Sequence, residues 1–268
     1  MKIVDLTQHY LEFLKDNDLP KYESSNKELF KHYFKYWGNK DSFTPILSEI
    51  EVKRSKNLIL SSLDNIQKSF ENCDLDISEL EIILMVGQKH TNGHSAKIKN
   101  KFVVFIPIEE YESKAQILTF IPHEIVHGLH YKTNPSFYFN NVEEKEHLGR
   151  LLITEGLATY VSMKVMKLKK EESLWAGYKS NEEISNWLKI YQKNREYLRK
   201  IALGNFDSHK NSLMFYTAEK GAVGKDREGY LLGLEIVEDI VKDTNASIDK
   251  LLSLGRGEFE DMVKSKLK

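Results

Sequence analysis

A short motif constrains the fold of this 268-residue chain more than any other feature of its sequence. Residues 123–127 are His123-Glu124-Ile125-Val126-His127, within the apolar stretch ILTFIPHEIVHGLHY. Because an α-helix has about 3.6 residues per turn, residues four apart lie on one face, about one turn apart. A helix here would direct both imidazole rings to one point and would place Glu124 about 100° around the axis from His123. The spacing therefore predicts a helix.

Two imidazoles in this arrangement can bind one Zn²⁺ with Zn–N distances of about 2.0–2.1 Å. Glu124 would lie beside the metal, where its carboxylate can accept a proton from an attacking water. The alternative is a pair of surface histidines on a charged helix face, but the apolar Ile125 and Val126 indicate a helix that packs on a core. Pro122 either bends a helix that began earlier or starts a new one, and both alternatives keep the motif helical.

A catalytic zinc normally has three protein ligands and a water, so the motif needs a third donor. The metzincin pattern HExxHxxGxxH would supply a histidine, but Gly128 and His130 do not fit its spacing. Residues 151–160 are LLITEGLATY, in which Glu155 is the one charge and the small Gly156 permits close helix packing. A buried carboxylate is costly unless it is paired or binds a metal. We therefore predict Glu155 as the third ligand of one zinc ion per chain; the alternative is a glutamate that faces solvent.

The rest of the chain favours helices, since it contains only 5 prolines and its apolar residues recur at helical spacing. Two short runs rich in β-branched and aromatic residues, 81–86 and 101–106, predict strands, and Asn92-Gly93 between them predicts a turn or loop. The predicted helices are 2–16, 26–37, 53–71, one from about 113, and those near 144–168, 181–202, 226–243 and 247–253.

These elements predict an α+β fold that is predominantly helical and organised in three parts. Residues 1–72 would form a helical N-terminal segment, 73–202 the zinc-binding catalytic core, and 203–268 a helical C-terminal part that completes the cleft. One continuous domain is the alternative. The polar loop 203–212 is the predicted hinge or boundary.

Composition and charge argue against several classes of protein. The formal net charge is −1, from 39 basic and 40 acidic residues, whereas proteins that bind nucleic acids or membrane surfaces usually carry a basic surplus. The single cysteine, Cys73, excludes an intramolecular disulfide. Charges interrupt the start of the chain, so no signal peptide is predicted, and no apolar stretch approaches the roughly 18 residues that span a bilayer. We expect a cytoplasmic protein with no nucleic-acid or membrane partner.

An HExxH motif followed by a glutamate on a later helix resembles the gluzincin pattern of zinc peptidases. More narrowly, HEIVHGLH together with ITEGLATY resembles a bacterial family of predicted Zn-dependent proteases, and EGYLLG at 228–233 resembles its Gly-Tyr-rich helix. The resemblance spans roughly residues 80–245. It implies a thermolysin-like zinc-site lobe with a small β-sheet packed on the HExxH helix, a helical remainder, and hydrolysis of peptide or protein substrates. The Gly-x-Met-Glu-Asn segment of aminopeptidases is absent from the sequence, which leaves endopeptidase and oligopeptidase activity open.

Peptide hydrolysis at such a site needs catalytic groups besides the metal ligands. Glu124 would be the general base, and the oxyanion that develops on the substrate would need a donor besides the metal. The C-terminal part offers Tyr216, Arg227 and Tyr230, and we predict Tyr230 because nearby glycines leave room for close approach. Strand 102–106 could pair with an extended peptide by β-augmentation, or it could be an inner strand.

Two other functions are compatible with the same residues. One is a zinc hydrolase that acts on a non-peptide substrate, and the other is a non-catalytic zinc-binding regulatory or interaction module. A structural zinc is closed by four protein ligands, whereas three are found here, which favours an open catalytic position.

Overall fold

The computed structural model describes residues 1–210 and 227–268 of the chain. The fold is α+β with helices predominating, which confirms the prediction of fold class. The chain divides into two compact units, Met1–Gly128 and Leu129–Lys268. No helix in the described ranges is long and apolar enough to cross a bilayer. The three-part organisation, the likeness to thermolysin and the cytoplasmic location stay predictions.

The first unit contains one small mixed sheet and the helices around it. Its strands are β1 (Lys2–Asp5), β2 (Glu81–Met85), β3 (His94–Ile98) and β4 (Lys101–Pro107). Its helices are α1 (Thr7–Asp16), α2 (Leu19–Ser24), α3 (Lys27–Tyr36), α4 (Glu49–Glu71) and α5 (Lys114–Thr133), the last of which continues into the second unit. Short 3₁₀ turns cover Lys40–Ser42 and Ile108–Glu110.

The strand order of the sheet is β1-β2-β4-β3. β1 pairs with β2, and β2 with β4, in parallel, whereas β3 is antiparallel to β4. The inner strands β2 and β4 are nearly continuous apolar runs, which is typical of strands buried on both faces. Lys99 and Asn100 connect β3 to β4. Their φ values are 47° and 66°, and positive φ values at both residues are typical of a tight two-residue hairpin turn.

Two predictions about this unit are wrong. The segment expected to be a turn or loop between the two predicted strands contains β3, whose sequence HSAKI is too polar to show a strand pattern. The helix predicted over 2–16 begins only at Thr7, because Lys2–Asp5 extend the sheet as a parallel edge strand beside β2. Pairing with a strand far along the chain leaves no trace in local periodicity.

Helix α5 packs on one face of the sheet. A Cβ added at Gly128 would lie 3.1–3.4 Å from side-chain atoms of Leu80, Ser95 and Val104, so the helix backbone approaches the sheet closely. The Ser95 hydroxyl donates a hydrogen bond to the Glu124 carbonyl oxygen at 2.6 Å. These contacts confirm the prediction of a small sheet packed on the helix that carries the motif.

Every regular element described in the second unit is a helix or a 3₁₀ turn. The turn covers Pro135–Phe137, and the helices are α6 (Val142–Lys145), α7 (Leu148–Met166), α8 (Lys170–Trp175), α9 (Asn181–Gly204), α10 (Glu228–Thr244), α11 (Ile248–Ser253) and α12 (Arg256–Leu267). The four helices predicted between 144 and 253 correspond to α7, α9, α10 and α11, with shifted ends. The predicted loop 203–212 overlaps the end of α9, and its last two residues lie outside the described ranges.

Helix α7 is buried along most of its length and packs against α10. The two helices meet at Gly156 and Gly233. A Cβ on Gly233 would lie 2.6 Å from the Leu152 carbonyl oxygen and 2.9 Å from the Gly156 Cα, so the two helix backbones touch. Neither glycine position has space for a side chain.

The buried Arg150 holds the chain that leads into α7. This side chain is 2% exposed and donates hydrogen bonds of 3.0–3.1 Å to the carbonyl oxygens of Phe137, Glu144 and Lys145. These carbonyls lie in the turns that precede α7, where helix geometry leaves acceptors without an intrahelical donor. In the core, where water cannot supply these hydrogen bonds, the guanidinium donates them to the carbonyl oxygens.

Gly233→Ala should destabilise the protein by about 1–3 kcal/mol, the usual cost of overpacking, because the added methyl group meets backbone atoms. Gly257→Ala in α12 is the matched control, since nothing lies within 4 Å of its added Cβ and alanine favours a helix by about 1 kcal/mol. Urea unfolding should give a lower free energy of unfolding for the first variant only. An unchanged value for Gly233→Ala would contradict the backbone contact.

Candidate metal centre

The motif helix runs without a break through Pro122, since α5 extends from Lys114 to Thr133. Of the two alternatives for this proline, the structure shows the one in which the helix began earlier. The Nε2 atoms of His123 and His127 are 3.1 Å apart. Two nitrogens bound to one tetrahedral zinc lie about 3.3 Å apart, given the usual Zn–N distances. The two imidazoles therefore have the spacing that a shared metal needs.

Glu155 joins the two histidines as a third possible ligand. One ligand atom from each of His123, His127 and Glu155 lies within 4.8 Å of the other two. Both histidines are buried, and Glu155 is half-buried on α7. Two imidazole nitrogens and one carboxylate oxygen are a donor set that suits zinc and leaves one tetrahedral position open. The structure thus brings together the three side chains that the sequence predicts as ligands.

The other downstream histidines have different surroundings. His130 packs its ring on Phe137 at 4.5 Å between centroids. His147 caps α7, where its Nδ1 accepts the Arg150 N–H at 3.0 Å, and burial lowers the pKa of its imidazole. His209 packs its ring against His147 at 4.8 Å. None of these three histidines belongs to the group of converging donors found among the described residues.

Glu124 follows His123 on α5 and is half-buried. Its carbonyl oxygen is held by the Ser95 hydroxyl of β3. Its Cγ lies 3.1 Å from the point that a Cβ on Gly93 would occupy, so the chain before β3 packs on the carboxylate side chain. The sequence does not predict Ser95 and Gly93 as neighbours of Glu124, although Asn92-Gly93 predicts a turn or loop at this place.

Tyr230 lies half-buried in the first turn of α10, one turn before Gly233. The guanidinium of Arg227 lies 5.4 Å from the centre of the Tyr230 ring and donates a 2.7 Å hydrogen bond to the Leu174 carbonyl. Tyr216 lies outside the described residues. The oxyanion role of Tyr230 stays a prediction.

The interpretation of strand 102–106 as a site for an added peptide strand is wrong. β4 pairs with β2 on one side and with β3 on the other, so both of its edges are used within the sheet. The alternative of an inner strand is confirmed. The outer strand on this side of the sheet is β3.

A family model described as Predicted Zn-dependent protease (DUF2268) matches residues 56–261. The chain belongs to this family. The match covers most of the chain and includes His123, Glu124, His127, Glu155 and Tyr230. No curated protein and no solved structure shows a significant match to the chain. Membership of the wider gluzincin group stays a prediction.

Metal analysis of the purified protein should find about one zinc per chain, and His123→Ala, His127→Ala and Glu155→Ala should each weaken zinc binding at least about 100-fold. This exceeds the roughly 10–100-fold loss that follows removal of a group that only orients a ligand. His209→Ala is the matched control, because this histidine is not one of the three converging side chains and its Nδ1 contacts the Glu143 carbonyl.

Zinc should also raise the unfolding temperature of the wild type, since a ligand that binds only the folded state stabilises it. Removal of zinc with a chelator should reverse the shift. If the three alanine variants bound zinc as tightly as the His209 control, the convergence of these side chains would have no connection with a metal.

Proposed function

We propose that this protein is a zinc metallopeptidase in which His123, His127 and Glu155 hold the metal. The observation that carries the proposal is the convergence of these three donors, with Glu124 next to the first of them on the same helix. Catalytic zinc sites use three protein ligands, whereas structural sites use four. The family description, Zn-dependent protease, supports a peptide or protein as the substrate.

In the proposed reaction, zinc would supply a Lewis acid that polarises the scissile carbonyl and makes a water more acidic. Glu124 accepts the proton of the attacking water and then delivers it to the nitrogen of the leaving amine. Two contacts support this role for Glu124. Ser95 holds its backbone, and the Gly93 backbone borders its side chain, so its carboxylate has a limited range of positions.

Tyr230 is the proposed donor to the oxyanion. A phenol O–H aimed at the developing negative charge stabilises the transition state more than the substrate. Arg227 lies beside the same ring and its positive charge favours a negatively charged group nearby. The proposal is supported by the position of Tyr230 on α10, the helix that packs on α7 next to Glu155.

Glu124→Gln should retain zinc and lower kcat/KM for peptide cleavage at least about 1,000-fold, because glutamine cannot accept the proton of the water. The measurement is cleavage of a broad peptide library by mass spectrometry, followed by kinetics on the best substrate. Zinc content measured on the same samples separates the loss of a base from the loss of the metal.

The results of this experiment separate a peptidase from the two other functions and test Glu124 as the base. A wild-type protein that binds zinc and cleaves no peptide would reject the peptidase and favour a non-peptide hydrolase or a binding module. A Glu124→Gln variant that cleaves peptides as well as the wild type would reject Glu124 as the base.

Tyr230→Phe should lower kcat about 100-fold with little change in zinc content, which is the usual cost of losing one oxyanion donor. The matched control is Tyr197→Phe, because Tyr197 is 54% exposed on α9 and should tolerate loss of its hydroxyl. The measurement is kcat of the two variants in steady-state kinetics on the same peptide. A Tyr230→Phe enzyme with wild-type kcat would assign the oxyanion donor to another group.

A further inference from the structure

The chain between β2 and β3, residues 86–93, borders the side chain of Glu124. At its end, a Cβ added to Gly93 would lie 3.1 Å from the Glu124 Cγ, so the loop backbone packs directly on this side chain. Gly93 has a φ of 152°, and the carbonyl of Asn92 before it accepts a hydrogen bond from the Tyr111 hydroxyl. The position of Glu124 therefore depends on how loop 86–93 is held.

Buried tyrosine hydroxyls hold the start of this loop. The Tyr22 hydroxyl accepts the Val86 N–H at 2.9 Å, and the Tyr33 hydroxyl accepts the Gln88 N–H at 2.8 Å. Lys89 follows with a φ of 56°, a left-handed conformation that residues other than glycine rarely adopt. Such a conformation persists only where the surroundings hold it, so the loop needs anchors in the core.

Glu109 is a further anchor and comes from the 3₁₀ turn after β4. Its side chain is buried, and its Oε1 accepts the N–H groups of Gly87 at 2.8 Å and Lys89 at 3.3 Å. A Cβ on Gly87 would lie 2.9 Å from this oxygen, so the carboxyl group and the loop backbone are in direct contact. One carboxyl oxygen thus holds two N–H groups of the loop, on either side of Gln88.

Burial controls the protonation of Glu109. It raises the pKa of this carboxyl to about 7, and the two N–H groups of the loop offset only part of the effect. Glu110 in the same turn raises the pKa further. Arg54 is a charged residue of α4 that lines the groove beside this turn. Three tyrosines, whose own pKa values are raised by burial, interact with Glu109 from α1, α2 and α3: Tyr10, Tyr22 and Tyr33.

We propose that Glu109 is a positioning residue for peptide hydrolysis and holds loop 86–93 against the Glu124 side chain through the amides of Gly87 and Lys89. The effect on cleavage rests on the proposed function, whereas the loop contact does not depend on it. The buried carboxyl binds its proton more tightly than a hydrated one would, so opening the loop to water becomes easier once Glu109 is ionised. The loop is held most firmly below about pH 4.5 and loosens progressively as the pH rises from there to about 7.

Hydrogen exchange of the wild-type protein from about pH 5.5 to about 8.5 tests the loop directly. After correction for the intrinsic pH dependence of exchange, protection of residues 86–93 should fall at least about tenfold between about pH 5.5 and 7 and level off above that. In Glu109→Gln the amide stays neutral and its oxygen can accept the same N–H groups, so protection should stay constant. Glu110→Gln is the matched control and should keep the wild-type change.

Either of two results would overturn the inference: loop protection in the wild type that does not change with pH, or a change that persists in Glu109→Gln. A change that disappears in Glu110→Gln and persists in Glu109→Gln would assign the effect to the neighbouring carboxyl. The wild-type profile needs no variant, so the test stands even where a substitution prevents folding.

Kinetics on one fluorogenic peptide tests the positioning role. Glu109→Leu removes the acceptor and should lower kcat at least about tenfold with KM and zinc content unchanged, since a small misplacement of a catalytic group costs up to about 100-fold. Glu109→Gln restores the acceptor and should recover kcat at pH 6 to within about threefold of the wild type. A Glu109→Leu enzyme with wild-type kcat, or one that loses zinc in proportion to its activity, would reject this role.

The two proposals fail in different ways. Loop protection that follows Glu109 in a protein that cleaves no peptide would reject the peptidase and keep the loop contact. Peptide cleavage with loop protection that does not change with pH would keep the peptidase and reject Glu109 as the residue that holds the loop.

Discussion

The candidate metal centre depends first on one helical turn, from His123 to His127, staying regular inside an apolar core. Pro122 lies immediately before it, and a proline inside a helix costs about 3 kcal/mol. The helix nevertheless continues on both sides of the proline. Burial of one large apolar side chain contributes about 1.5–3 kcal/mol, so a few such residues offset the proline. The buried apolar residues of this part of α5 include Ile117, Phe120, Ile121, Ile125 and Val126. Packing, rather than helix propensity, therefore sets the spacing of the two imidazoles.

Close backbone packing supports the helices that carry the candidate site residues in both units. In the first unit, α5 approaches the sheet at Gly128, and the Ser95 hydroxyl holds the carbonyl of Glu124. In the second unit, α7 touches α10 at Gly156, the residue after Glu155. A small residue beside a functional one lets the helix lie directly on its support. The backbone that carries the neighbouring side chain is then held in place, which a site of defined geometry requires.

The sequence predicts the parts of this molecule whose information is local. His123 and Glu155 could be picked out as candidate ligands because motif spacing and an isolated charge in an apolar run are visible within a few helical turns. The sheet could not be predicted in the same way, since β1 and β3 are recognisable only from their pairing with β2 and β4. Glu109 was missed for a related reason. It is one of two adjacent glutamates after a strand, a pattern typical of an exposed turn, and only the tertiary fold buries it.

Burial gives the stabilising contributions of Glu109 and His147 opposite dependences on pH. The pKa of Glu109 rises from 4.5 to about 7 on folding, so its neutral form stabilises the fold fully below pH 4.5, and this contribution is lost as the pH rises through 7. Burial lowers the pKa of His147 from 6.5, so its contribution is present above pH 6.5 and is lost as the pH falls. The two contributions therefore change in opposite directions below about pH 7. Because the proposed loop anchor is half ionised near pH 7, a small change in its surroundings changes the fraction of Glu109 that is ionised.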